Sequence, residues 1–269
     1  MDNKQWFYDL LTPGRNLDIM HINIAFYYLR KQIRYDESIS ISATTTDSFF
    51  GQRINSLYKK YVNSGKNAAA IPDNNAISEY IDGLHLHCNV RWNTVDFILM
   101  PVLIEDLTHW VLCIFNIHKR CLEVYNSIVG TNASLRKVSK AMRPYAVLLP
   151  ILLARIEFFA SRMDIFPNAH EFANKKETDP LEVFMVLDLP EQTDSDCGIF
   201  IIKFAEYFLR GEIKKLPNPM PVDVFRNKIC VELYVYAKKK QVEGYLSESE
   251  FPGRYERSKV VDNKIAIDI

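Results

Sequence analysis

Gln192-Thr193-Asp194-Ser195-Asp196-Cys197-Gly198-Ile199-Phe200-Ile201-Ile202 is the stretch from which the fold is read. A polar run ends in a cysteine and an apolar run begins at once, so the thiol stands where a loop becomes a helix. The first four N–H groups of a helix have no partner within it, and the macrodipole leaves partial positive charge there. Both favour thiolate over thiol, and the thiolate is the nucleophile. The helix that follows is apolar on most sides. Lys203, Glu206 and Arg210 form a narrow polar stripe at spacings of three and four, which predicts a central, buried helix. Gly211 suits its C-terminal cap. A free cysteine is more often a small buried hydrophobe than a nucleophile. The argument for chemistry lies upstream.

Val95–Val102 is almost continuously apolar and predicts a buried strand. His109-Trp110-Val111-Leu112-Cys113-Ile114-Phe115 begins a second, over 109–117. His118-Lys119-Arg120 supplies a turn, and Cys121-Leu122-Glu123-Val124-Tyr125-Asn126 runs back with the alternation of a half-buried strand. Neighbouring strands lie about 4.8 Å apart, and opposed side chains share a face. The start of one strand thus meets the end of the other, which places His109 beside Asn126 to within one or two residues of register. Singly, a strand-initial His is structural and a strand-final Asn is a turn former. Together with Gln192 and Cys197 they make a base, an orienter for the base, an oxyanion donor and a nucleophile.

His109-Trp110, Tyr125-Asn126-Ser127, Gln192 and Asp196-Cys197-Gly198, in that order, resemble the ubiquitin-like-protein-specific cysteine proteases, the family that processes and removes SUMO. The likeness is nearest to the divergent plant and transposon-borne branch and spans roughly residues 16–210. Leu17-Asp18 with His21-Ile22 is similar to the start of the family's first helix, and Trp92, Val95-Asp96 and Pro101 to the strand leading to its His. The resemblance implies a papain-like α+β fold, with a mostly antiparallel sheet packed on a buried helix that starts at the nucleophile. It implies cleavage after the C-terminal glycine of a SUMO-type modifier, by His109, Asn126, Gln192 and Cys197. Trp110, Asp196 and Gly198 are implied to contact substrate. No metal or cofactor is expected. The alternative is a catalytically weak or silent module of the same fold that binds a modifier or another partner.

Three departures from the family pattern bear on activity. Asn126 stands where the family has Asp, so the orienter accepts a hydrogen bond from the imidazole, at its Nδ1–H on this reading, without bringing a negative charge. Gln192 is one residue nearer the cysteine than usual, which tests the oxyanion geometry. Asn16 stands where a Trp helps to roof a slot for the modifier's glycines, and Trp6 is too far upstream to replace it. Looser substrate selection and weakened rather than abolished turnover are expected.

The 269 residues are 48% hydrophobic and 12% aromatic, enough for a full core. Lys+Arg and Asp+Glu are equal at 33 each, which leaves no basic field for nucleic acid. Five cysteines without regular spacing suggest a reducing compartment, nuclear or cytoplasmic. The N-terminus has no signal pattern, and Ala146–Leu153 is too short to span a bilayer. A soluble monomer is expected, with one domain over 1–245 and a polar, mobile tail over 246–269. Helices are predicted over Ile19–Ile33, Phe49–Val62, Leu135–Met142, Ile151–Arg162 and Val222–Val242, with Pro144 and Pro150 as interruptions. Val183–Leu189 is predicted as a strand. His85, His87 and Cys88 lack a second ligand pair at zinc spacing.

Overall fold

The computed structural model describes residues 3–128, 130–162, 164–165 and 172–242, so the predicted tail over 246–269 lies outside the described residues. Seven helices and five strands are formed among them: α1 (Asn3–Leu11), α2 (Ile19–Tyr35), β1 (Ala43–Thr45), α3 (Phe49–Asn63), α4 (Ala76–Ile81), β2 (Phe97–Ile104), β3 (His109–Asn116), β4 (Cys121–Tyr125), α5 (Asn132–Arg155), β5 (Glu182–Met185), α6 (Cys197–Leu209) and α7 (Val222–Val242). The strands lie in sequence order in one sheet. β2, β3 and β4 are antiparallel, while β1 on β2 and β5 on β4 are parallel. The fold is α+β as expected, with an antiparallel centre and one parallel strand at each edge of the sheet.

β3 is buried along its whole length because both faces of the sheet are covered. Side chains alternate across a strand. Val111, Cys113 and Phe115 therefore enter one core with α3, α4 and α5, while Trp110, Leu112 and Ile114 enter the other with α2, α6 and α7. An apolar helix suits the position of α6 against this second face. Its polar stripe is not a solvent face, however. Lys203 is completely buried, 2.5 Å from the Glu206 carboxylate and over the Phe225 ring of α7.

The two predicted helices around Pro144 and Pro150 merge into one continuous α5, which ends at Arg155 rather than Arg162, before Glu157 takes a left-handed φ of 51°. Proline at position i leaves the carbonyl at i−4 without its helical donor. For Pro150 that carbonyl is Ala146 O, and it accepts the Leu181 N–H at 2.9 Å. A tertiary hydrogen bond at the approach to β5 stands in for the helical one. α2 begins with Asp18, whose carboxylate accepts the His21 N–H at 2.9 Å while the His21 ring meets the Asp18 N–H, a capping box with His in the usual Glu position.

Candidate active site

Cys197 opens α6 and is 2% exposed. The backbone N–H groups of Trp110, of Gly198 and of Cys197 itself are directed at its sulfur. They come from a strand start and a helix start, the two kinds of unpaired amide that favour a thiolate. Burial outweighs them. Desolvation, helped by the neighbouring Asp196 carboxylate, raises the Cys197 pKa above its ordinary value. The expected thiolate is therefore a thiol in the resting site.

The Trp110 amide that reaches the sulfur directly follows His109, so the thiol lies at the end of β3 where His109 begins the strand. His109 is reached through Thr108, a β-branched residue held at φ 48° in the left-handed region, which turns the chain sharply into β3. In the β3–β4 register Leu112 faces Tyr125, so Asn126 falls opposite Val111 and is diagonal to His109 on the same face. The side chains close that step, with the ring Nε2 2.7 Å from Asn126 Oδ1. The same oxygen accepts the Ile128 N–H at 3.1 Å, which fixes it as an acceptor. The orienting bond thus uses Nε2, not Nδ1, and a neutral ring that donates from Nε2 keeps Nδ1 as its basic nitrogen. Burial lowers the His109 pKa against the opposing pull of the Asn126 bond.

Gln192 is strapped to the residue after Asn126. Its N–H donates to Ser127 O at 2.8 Å, and the fully buried Ser127 hydroxyl donates to its Oε1 at 2.7 Å. With the amide oxygen held, the NH₂ is the end left to act as a donor.

The three residues expected to touch substrate turn inward instead. Asp196 gives its carboxylate to the Arg226 guanidinium, with Nε 2.9 Å from Oδ1, and to the Gly14 N–H at 3.2 Å. Gly198 packs on Leu17, and a Cβ there would lie 2.8 Å from the Leu17 Cβ. Trp110 is buried and donates its indole N–H to Leu17 O at 3.1 Å. All three hold the nucleophile helix, the start of α2 and β3 in register. Asn16, in the place of the family Trp, is exposed.

The sequence profile described as "Ulp1 protease family, C-terminal catalytic domain" matches residues 15–240. The chain belongs to the Ulp1 protease family. Ulp1-family domains are thiol hydrolases of the ubiquitin-like-protease class, and this chain has their papain-like α+β fold. A structure of the SUMO protease Ulp1 with its catalytic cysteine oxidised to a sulfonic acid is 16% identical, covering 87% of this chain and 84% of that one with a TM-score of 0.51. The Ulp1 protease domain in complex with SMT3, the yeast ortholog of SUMO, is 17% identical, covering 86% and 82% with a TM-score of 0.50. Those likenesses are of fold. No curated protein matches the chain by sequence.

Two residues of this Ulp1-family domain escaped the sequence reading. Arg226 stands on the same face of α7 as the buried Ile229 and Leu233, and a charge on an apolar stripe is the signal that marks it. Ser127 carries no such signal. One group of metal-type ligands is assembled among the described residues, Asp96, His118 and Asp164. It already surrounds a cation, the Arg162 guanidinium, whose Nη2 is 2.7 Å from Asp96 and 2.5 Å from Asp164. His85 stacks on Tyr80 with centroids 3.9 Å apart, and Cys88 is buried. No helix among the described residues is long and apolar enough to cross a membrane.

Proposed function

We propose that this domain is a cysteine (iso)peptidase that cleaves after the C-terminal glycine of a SUMO-type modifier, in precursors or lysine conjugates. The reading is supported by the Cys197 sulfur at the Trp110 amide, one residue along β3 from a His109 whose Nε2 is held by Asn126. As substrate arrives, the thiol proton passes to His109 Nδ1 and the sulfur attacks the glycine carbonyl. The Gln192 NH₂ and the Cys197 N–H face the oxyanion. The C–N bond breaks, the proton goes to the leaving amine, and water hydrolyses the thioester to regenerate the thiol. A modifier ending in Gly-Gly and an electrophilic warhead tests this. Covalent labelling of Cys197, lost in Cys197→Ala, is expected.

The second reading, a silent module that binds without cutting, is favoured by the burial of both reacting groups, which lowers the His109 pKa and raises that of Cys197 and so disfavours the ion pair. It predicts tight, saturable binding of the same probe with no adduct.

Gln192→Ala should lower kcat by about 10²–10³, the usual cost of one oxyanion donor, with little change in KM. Unchanged turnover would remove Gln192 from the mechanism. The pH profile has a definite sign. A lowered His109 pKa keeps the ring basic below its ordinary 6.5, so the acid limb of kcat/KM should lie below that value. A raised Cys197 pKa keeps the thiol protonated up to and above its ordinary 9.0, so no thiolate plateau appears before then. Asn126→Asp adds a negative charge at Nε2, which favours the imidazolium. The acid limb should move to higher pH while the rate at pH 8 holds or rises. A fall of more than about tenfold there, beyond what one orienting group contributes, would refute the role given to Asn126.

A further inference from the structure

We propose that the cavity between the C-terminal half of α2, β1 and the segment before β2 binds a small anion carrying more than one phosphate. The sequence supplies Arg30, Lys31 and Arg34 from the last turns of α2 and Arg91 from the segment before β2. All four line one cavity of about 510 Å³, within the usual small-ligand range. No Asp or Glu is among its described lining residues. Of the carboxylates that flank the wall in sequence, Asp36 is engaged by Arg210 and Ser38 and Asp96 by Arg162, while Glu37 is exposed and is not among the lining residues.

A basic residue in a last helical turn complements the helix dipole, and that accounts for Arg34. It does not account for Arg91, which comes from a separate segment, or for Arg30. Arg30 is 8% exposed, and its Nη1 is fixed on Thr45 and Thr46, yet its buried Nε–H has no partner. Thr44, 2% exposed in the same wall, has an unpartnered hydroxyl. Buried donors without acceptors are costly. Phosphate oxygens are the acceptors that a planar guanidinium fork recognises best.

The cavity lies at the far end of the sheet from the candidate active site. Ala43 pairs with Phe97, whereas His109 pairs with Ile104, seven residues further along β2 and about 23 Å away at the usual strand rise. The binding can therefore be measured whatever the fate of the protease reading.

Calorimetric titration of the full chain with tripolyphosphate and with inorganic phosphate at 0.15 M salt is the test. Saturable 1:1 binding of tripolyphosphate is expected, at least tenfold tighter than phosphate, with a Tm that rises with ligand concentration. Arg34 and Arg91 are exposed, so Arg34→Gln/Arg91→Gln should keep its ligand-free Tm and bind at least tenfold more weakly. If the double variant is unstable, Arg91→Gln alone should weaken binding at least threefold and Arg91→Lys less. Absence of saturable binding, or variants that bind like the parent, would overturn the site. A single-stranded oligonucleotide that outcompetes tripolyphosphate at the same residues would overturn the small-ligand assignment.

Discussion

His109→Ala should cut the turnover of a modifier precursor by about 10²–10⁴-fold, the usual contribution of a positioned general base. The loss should fall on kcat, because the imidazole serves the reacting atoms and not the body of the modifier. Here the base is needed more than in enzymes that store a ready thiolate. Burial raises the Cys197 pKa despite three N–H groups at the sulfur, so the proton must be removed during attack. The variant is expected to fold. Asn126 Oδ1 retains the Ile128 N–H, so no buried acceptor is orphaned when the ring is deleted. Cys197→Ser is the companion measurement, with turnover at the background set by binding and the oxyanion donors and with modifier affinity retained. A His109→Ala rate within threefold of the parent would end the assignment of His109 as base.

What was legible in the sequence follows from where the forces are local. α7 was delimited at Val222–Val242 because the rigid Pro217–Pro221 turn precedes it, and β3 from its apolar run beginning at His109. The meeting of His109 with Asn126 could be placed to two residues, because a short turn fixes hairpin register. The continuity of α5 could not be seen, since it depends on a Leu181 N–H thirty-one residues after Pro150. The inward turn of Asp196, Gly198 and Trp110 was hidden for the same reason. Their partners are Arg226, Gly14 and Leu17, each remote in sequence. α1 was missed as well. Its nine residues are too few to hold a helix alone, and it is secured by Trp6 stacked on His21 and by contacts from α7. The direction of the Cys197 shift was misjudged because helix-terminal polarity is readable from sequence, whereas depth of burial is a property of the whole fold.

Arg226→Met should produce the largest loss of stability outside the apolar cores. The guanidinium is completely buried and uses all three nitrogens. Nε and Nη2 hold Asp196 Oδ1, Nη1 donates to Asp9 O at 3.1 Å and Leu10 O at 2.8 Å, and Nη2 also reaches Arg15 O at 2.6 Å. The carbonyls of Asp9 and Leu10 are in the last turn of α1, where helical partners run out. One side chain on α7 thereby caps α1, fixes the loop into α2 and anchors the residue before the nucleophile. Removing it strands the Asp196 carboxylate, 6% exposed, and such a break costs about 3–5 kcal/mol. At the usual 2–4 °C per kcal/mol for a domain of this size, Tm should fall by on the order of 10 °C. Arg226→Lys should recover less than half, because an ammonium cannot span carboxylate and carbonyls as the fork does. Arg226→Met/Asp196→Asn should be more stable than Arg226→Met alone, since the stranded charge is gone. Its kcat should nevertheless stay depressed, because a displacement of about 1 Å at a reacting group can cost 10²-fold. Thermal melts of the three variants separate charge burial from packing, and a Tm for Arg226→Met within about 2 °C of the parent would show that neither depends on this arginine.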